Sequence, residues 1–151
     1  MDKGGSKINL AAVVRVVLIV LGVMIIVLSA FFFFKVLIES KQALREAKNI
    51  RVALRTTDIE MYAHESCIYD PTKPDGLADG VKHTVDELMQ PEGKYVVTSY
   101  NYKNHELTGF TYRKGRYYVV FSKEGNGITW DVTYLMRVYH FDEEDTKIVK
   151  K

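Results

Sequence analysis

The sequence predicts an α+β protein: a long amino-terminal helix with a transmembrane half and an amphipathic half, packed on a four-stranded antiparallel sheet, with one short extra helix. Three observations carry this. Val16 to Phe34 runs for nineteen residues without a charge. No proline or turn cluster separates that run from Ala63, so the helical pattern continues across it. From Lys94 onward the apolar period changes to two, the spacing of a half-buried sheet.

The uncharged run VVLIVLGVMIIVLSAFFFF, with Gly22 near its middle, rises about 28 Å as a helix, close to the thickness of a bilayer's hydrocarbon core. Membrane lipid is therefore the first expected partner. Lys3 and Lys7 precede the run as in a secretory signal, but the run exceeds a typical signal core and Leu28-Ser29-Ala30 is a poor cleavage site. A retained signal anchor is the expectation, with Arg15 and Lys35 snorkelling at its ends. Lys3, Lys7 and Arg15 on one side face Lys35, Lys41, Arg45, Lys48 and Arg51 on the other, so charge counting does not orient the span.

Beyond the span, VLIESKQALREAKNIRVALRTTDIEMYA is rich in helix formers. Leu37, Leu44, Ala47, Ile50, Leu54 and Met61 recur at helical spacing, which predicts one apolar stripe lying on a sheet, with a coiled coil as the alternative. Glu39, Lys41, Arg45, Glu46, Lys48 and Arg51 read as its solvated face. One helix from near Ile8 to Ala63 is the expected product.

Ile68 to Gly80, IYDPTKPDGLADG, holds two of the three prolines and reads as a connection. Its Asp70, Asp75 and Asp79 match no EF-hand spacing and are expected in turns and helix capping. VKHTVDELMQ follows as a short helix with Val81, Val85, Leu88 and Met89 on its apolar face, ended by Pro91 and Gly93. Next come KYVVTSYNY, HELTGFTYR, RYYVVFS and GITWDVTYLMRVY, parted by turns so short that neighbours must be antiparallel. In the last segment Ile128, Trp130, Val132, Tyr134, Met136 and Val138 define the expected dry face. Tyrosines crowd the strands, and Tyr100, Tyr102, Tyr112 and Tyr118 are candidates for an aromatic contact surface beside the plainer account of strand propensity.

The expected organisation is a tail over 1–15, a transmembrane helix over 16–38 and an amphipathic continuation over 39–66. An α+β domain over 67–141 follows, with its short helix at 79–90 and sheet at 94–140, and then a charged tail over 142–151. About 115 residues outside the tail and span suffice for one core.

Twenty-one Lys and Arg against nineteen Asp and Glu, scattered along the chain, give no electrostatic footprint for nucleic acid. Cys67, the single cysteine, excludes an internal disulfide. His64, Glu65 and Cys67 sit close together, yet two or three ligand atoms make neither a zinc site nor, with His83, His105 or His140 placed elsewhere, a cysteine–histidine nucleophile. A Gly-rich phosphate loop, a GxSxG elbow and an HExxH helix are all missing from the sequence. No catalytic, metal or cofactor-binding residue is assigned, and an enzyme is not expected.

A basic leader ending in glycine (MDKGG), an apolar helix running unbroken into an amphipathic half, a Pro/Asp/Gly loop and an antiparallel sheet together resemble type IV pilins and type II secretion pseudopilins. The resemblance implies a bacterial chain cut between Gly5 and Ser6, an extracytoplasmic sheet domain, and self-assembly through the amino-terminal helix. Where that family carries Phe or Met first and Glu fifth in the mature chain, this sequence has Ser6 and Leu10. The other reading is a bitopic scaffold or sensor whose domain, similar in outline to cystatin-like folds, binds a ligand or partner.

Overall fold

The computed structural model describes residues 10–135 and 137–141. Helix α1 spans Leu10–Tyr62, α2 spans Val81–Met89, and five strands follow: β1 Lys94–Asn101, β2 Glu106–Lys114, β3 Tyr117–Glu124, β4 Gly127–Tyr134 and β5 Arg137–Phe141. The strands form one antiparallel meander in the order β1-β2-β3-β4-β5. The expected α+β architecture is therefore present, with one strand more than predicted. The chain divides after Leu37 into two compact units.

The first unit contains the apolar part of α1. From Leu10 to Lys35 every residue is exposed, Ile26 at 70% and Phe31 at 69%, whereas Val36 is buried. An 18-residue window reaches a mean hydropathy of 3.2 with none of it buried. Ser29 donates its hydroxyl to the Ile25 carbonyl at 2.7 Å, so its polar atom is satisfied within the helix.

In the second unit, α1 from Ile38 to Tyr62 lies on the sheet and buries Ala43, Leu44, Ala47, Ile50, Ala53 and Leu54. The helix closes in a Schellman arrangement: Ser66 N–H reaches the Met61 carbonyl at 3.1 Å and Glu65 N–H the Tyr62 carbonyl at 3.0 Å. Glu65, at φ 57°, occupies the left-handed position that glycine usually fills.

The loop after the helix is pinned rather than loose. Asp70 Oδ1 accepts from the Thr72 amide at 2.9 Å and its hydroxyl at 2.7 Å, which holds the Asp70 carboxyl below its ordinary pKa. The Val97 amide of β1 donates to the Asp75 carbonyl at 2.9 Å, so this loop covers part of a sheet edge. Gly76 permits that approach, because a Cβ there would run into the Val97 carbonyl. Asp79 pairs with Lys73 at 2.9 Å, and Gly80 rather than Asp79 caps α2. Helix α2 buries Val81 and Val85, whereas Leu88 and Met89, expected on the same face, are exposed.

Two cross-strand rows make the buried face of the sheet. One runs Val97, Phe110, Phe121, Trp130, Phe141; the other Tyr95, Tyr112, Val119, Val132, Tyr139. All ten are buried. Each large apolar side chain removed from water this way stabilises the domain by about 1.5–3 kcal/mol.

The segment predicted as one final strand is a hairpin. The chain turns at Leu135, φ 55°, and β5 pairs back on β4 with Trp130 opposite Phe141. The turn reverses side-chain parity. Tyr139 and Phe141 consequently enter the core while Val138, expected on the dry face, is exposed at 47%. Met136 lies outside the described residues, as do residues 1–9 and the predicted charged tail.

Candidate functional site

Of the residues singled out from sequence, Val16, Gly22 and Phe34 all fall in the exposed apolar part of α1. Gly5 and Ser6, the leader-like junction, lie outside the described residues. Tyr102 and Tyr118 are exposed, but Tyr100 and Tyr112 are buried, with hydroxyls turned to the helix.

Those two tyrosines belong to a repeated device. Tyr100 Oη lies 2.9 and 3.1 Å from the two carboxylate oxygens of Asp58, Tyr112 Oη 2.6 Å from Glu46, and Tyr117 Oη 2.6 Å from Glu39. A fourth pair joins Tyr95 to Asp86 of α2 at 2.9 Å. Burial first, and the adjacent carboxylate second, push each of these phenols above its ordinary pKa, so all four stay protonated and donate. The hydrogen bonds bring carboxylates against a hydrophobic sheet without leaving the acids unsatisfied.

Tyr100 reaches Asp58 because β1 is irregular. Register shifts on either side of Ser99 change which side chains face inward, from the odd-numbered Tyr95 and Val97 to the even-numbered Tyr100. Lys114 adds an ion pair with Glu46 and a second with Glu92 at 2.7 Å. Burial pulls the Glu46 carboxyl up, but Lys114 and Tyr112 together outweigh it and hold the group below its usual value. Arg51 places its guanidinium 4.4 Å from the ring centre of Phe121, and Lys48 its ammonium 5.6 Å from that of Trp130. The helix face expected to be solvated thus carries Glu39, Glu46, Lys48 and Arg51 against the sheet.

The space between helix and sheet is filled by side chains, with Leu44, Leu54, Phe110, Tyr112, Val119 and Val132 fully buried. The clefts lie around this core. One of about 200 Å³ includes Asn49, Met89 and Glu92; another of about 360 Å³ includes Thr57, His64 and Thr84. A third, of about 230 Å³, joins Arg51, Arg55 and Asp58 of α1 to Asn104, His105 and Glu106 at the β1–β2 hairpin.

His64 is exposed, and the Cys67 thiol turns to the Tyr69 carbonyl at 3.5 Å. His83 lies 3.6 Å from Glu87 on the surface of α2, and His105 packs against Tyr62 with ring centres 4.4 Å apart and the ring planes tilted by 54°. The side chain of His140 lies outside the described residues. Among the described residues no three His, Cys, Asp or Glu side chains gather into a metal-holding group.

Fold and surface together define a class: an α+β domain carried on a helix long and apolar enough to cross a membrane once. No family model, curated protein or solved structure matches the chain.

Proposed function

We propose that the chain is a single-pass, membrane-anchored structural subunit of pilin or pseudopilin type, with its sheet domain outside the cytoplasm and neighbouring copies meeting through α1. The carrying observation is a single unbroken helix that is uncharged and exposed all round over Val16–Phe34 and continues through Tyr62. In its second part Val52 and Ile59, seven residues apart, remain 62% and 64% exposed although the stripe beside them is buried in the domain. Such a helix has apolar surface left for another helix after its own domain is satisfied.

The mechanism is mechanical. Apolar helices exchange lipid for one another, and the sheet domains form the exterior of the assembly. The Tyr100–Asp58, Tyr112–Glu46 and Tyr117–Glu39 pairs hold the helix in register on its own sheet, so a pull on α1 is transmitted to the domain.

Mass spectrometry of the membrane-extracted protein, combined with cross-linking through Val52→Cys, tests this. A chain beginning at Ser6 whose copies cross-link is the expected result. A chain beginning at Met1 that stays monomeric and uncross-linked would overturn the reading.

A further inference from the structure

The cleft formed by Arg51, Arg55 and Asp58 with Asn104, His105 and Glu106 holds both signs of charge, but its carboxylates are already engaged. Asp58 accepts from the Tyr100 hydroxyl and, at 3.4 Å, from the Ile68 amide. Glu106 is paired with the Lys123 ammonium. By contrast, the Arg55 guanidinium has no ion-pair partner among the described residues, nor does the Asn104 side-chain amide have a hydrogen-bond partner there. The lining itself carries two permanent cations, Arg51 and Arg55, and two carboxylates that already have partners.

Hydrogen bonds and a ring contact brace the hairpin side of the cleft. Asn101 Oδ1 accepts from the Lys103 and Asn104 amides at 3.0 and 3.3 Å, and the Tyr62 ring fixes His105, which has φ 48°. Across from it, Arg51 is held over the Phe121 ring, and Arg55 stands one helical turn further on. At about 230 Å³ the space is smaller than the roughly 300–1,000 Å³ pockets that enclose whole small molecules, and suits a terminal group.

We propose that this cleft binds an oxyanion, a carboxylate or phosphate group, with Arg55 as the principal contact and Asn104 as a second donor. A guanidinium fork presents paired N–H groups that match either anion, and a charge-assisted bond of this kind is about twice as strong as a neutral one. The inference goes beyond the assembly reading and stands without it, since every residue it uses belongs to the sheet-bearing unit.

Side-chain NMR of the full ¹⁵N-labelled chain in detergent micelles tests it, with inorganic phosphate and glutarate titrated separately against chloride at matched ionic strength. Saturable movement of the Arg55 Nε–H and Asn104 amide resonances is expected, and saturation by only one of the two anions identifies the source chemistry. Arg55→Gln is expected to weaken binding about tenfold or more and Asn104→Ala severalfold. Arg55 is exposed, so its replacement should leave the thermal midpoint in place. Linear drift shared with chloride, or equal saturation in the Arg55→Gln chain, would overturn the proposal.

Discussion

The two parts of α1 are built from one continuous helix but solve opposite problems. From Val16 to Phe34 the side chains are uncharged and exposed in every direction; from Val36 onward a narrow stripe is buried and acids and bases flank it. Leu44 and Leu54 are completely buried, whereas Ile25 and Leu28, equally apolar, are 65% and 61% exposed. Residue type alone therefore does not say what an apolar side chain in this helix does. Its neighbours decide: a helix apolar all round has to find an apolar surrounding, while a striped one needs only one partner surface.

The largest effect that would sharpen this contrast is expected in the sheet-bearing unit. Phe110→Ala removes a fully buried ring that touches Phe121 and Trp130, with centroid distances of 5.5 and 5.9 Å. It should destabilise the domain by about 3–5 kcal/mol in denaturant melts. Membrane fractionation should be unaffected, and loss of membrane association in a folded variant would break the division between the parts.

Next in size is the converse change. Ile25→Arg places a charge in the middle of the exposed apolar stretch and should disfavour insertion by about 3 kcal/mol. The expected outcome is a lowered membrane-bound fraction with an unchanged domain melt. An unchanged bound fraction would mean that the span does not insert.

The smallest effect concerns the polar seam. The Glu46 pKa is lowered in the folded chain, so its contribution is present above the ordinary carboxylate range and is lost as pH falls through the lowered value. Glu46→Gln should therefore flatten the acid limb of a stability–pH curve by under about 1 kcal/mol. An identical acid limb in the variant would remove Glu46 from the seam's energetics.

Several elements were legible in the sequence because their signals are local. The uncharged run, the Leu44–Ala47–Ile50–Leu54 stripe and the alternation in Tyr95–Val97 or Phe110–Tyr112 each report on neighbours a few residues away. The β4–β5 hairpin escaped because Leu135-Met136 carries none of the usual turn residues, and the positive φ falls on a leucine. Helix α2 misled for a different reason. Nine residues offer more than one apolar face, and docking selected Val81 and Val85 over Leu88 and Met89.

The candidate cleft and the tyrosine–carboxylate seam could not be read in advance. Their partners stand 42, 66 and 78 residues apart for Asp58–Tyr100, Glu46–Tyr112 and Glu39–Tyr117. By itself the sequence determined the apolar span, the helix that continues it and the antiparallel meander, since hydrophobic period and turn length act over short distances. Only the tertiary structure decided which acids leave the solvated face, where parity reverses at Ser99 and Leu135, and that Arg55 stands at the cleft without an ion-pair partner among the described residues. Those outcomes depend on surfaces meeting across the fold, and a buried polar group takes whichever partner that meeting supplies.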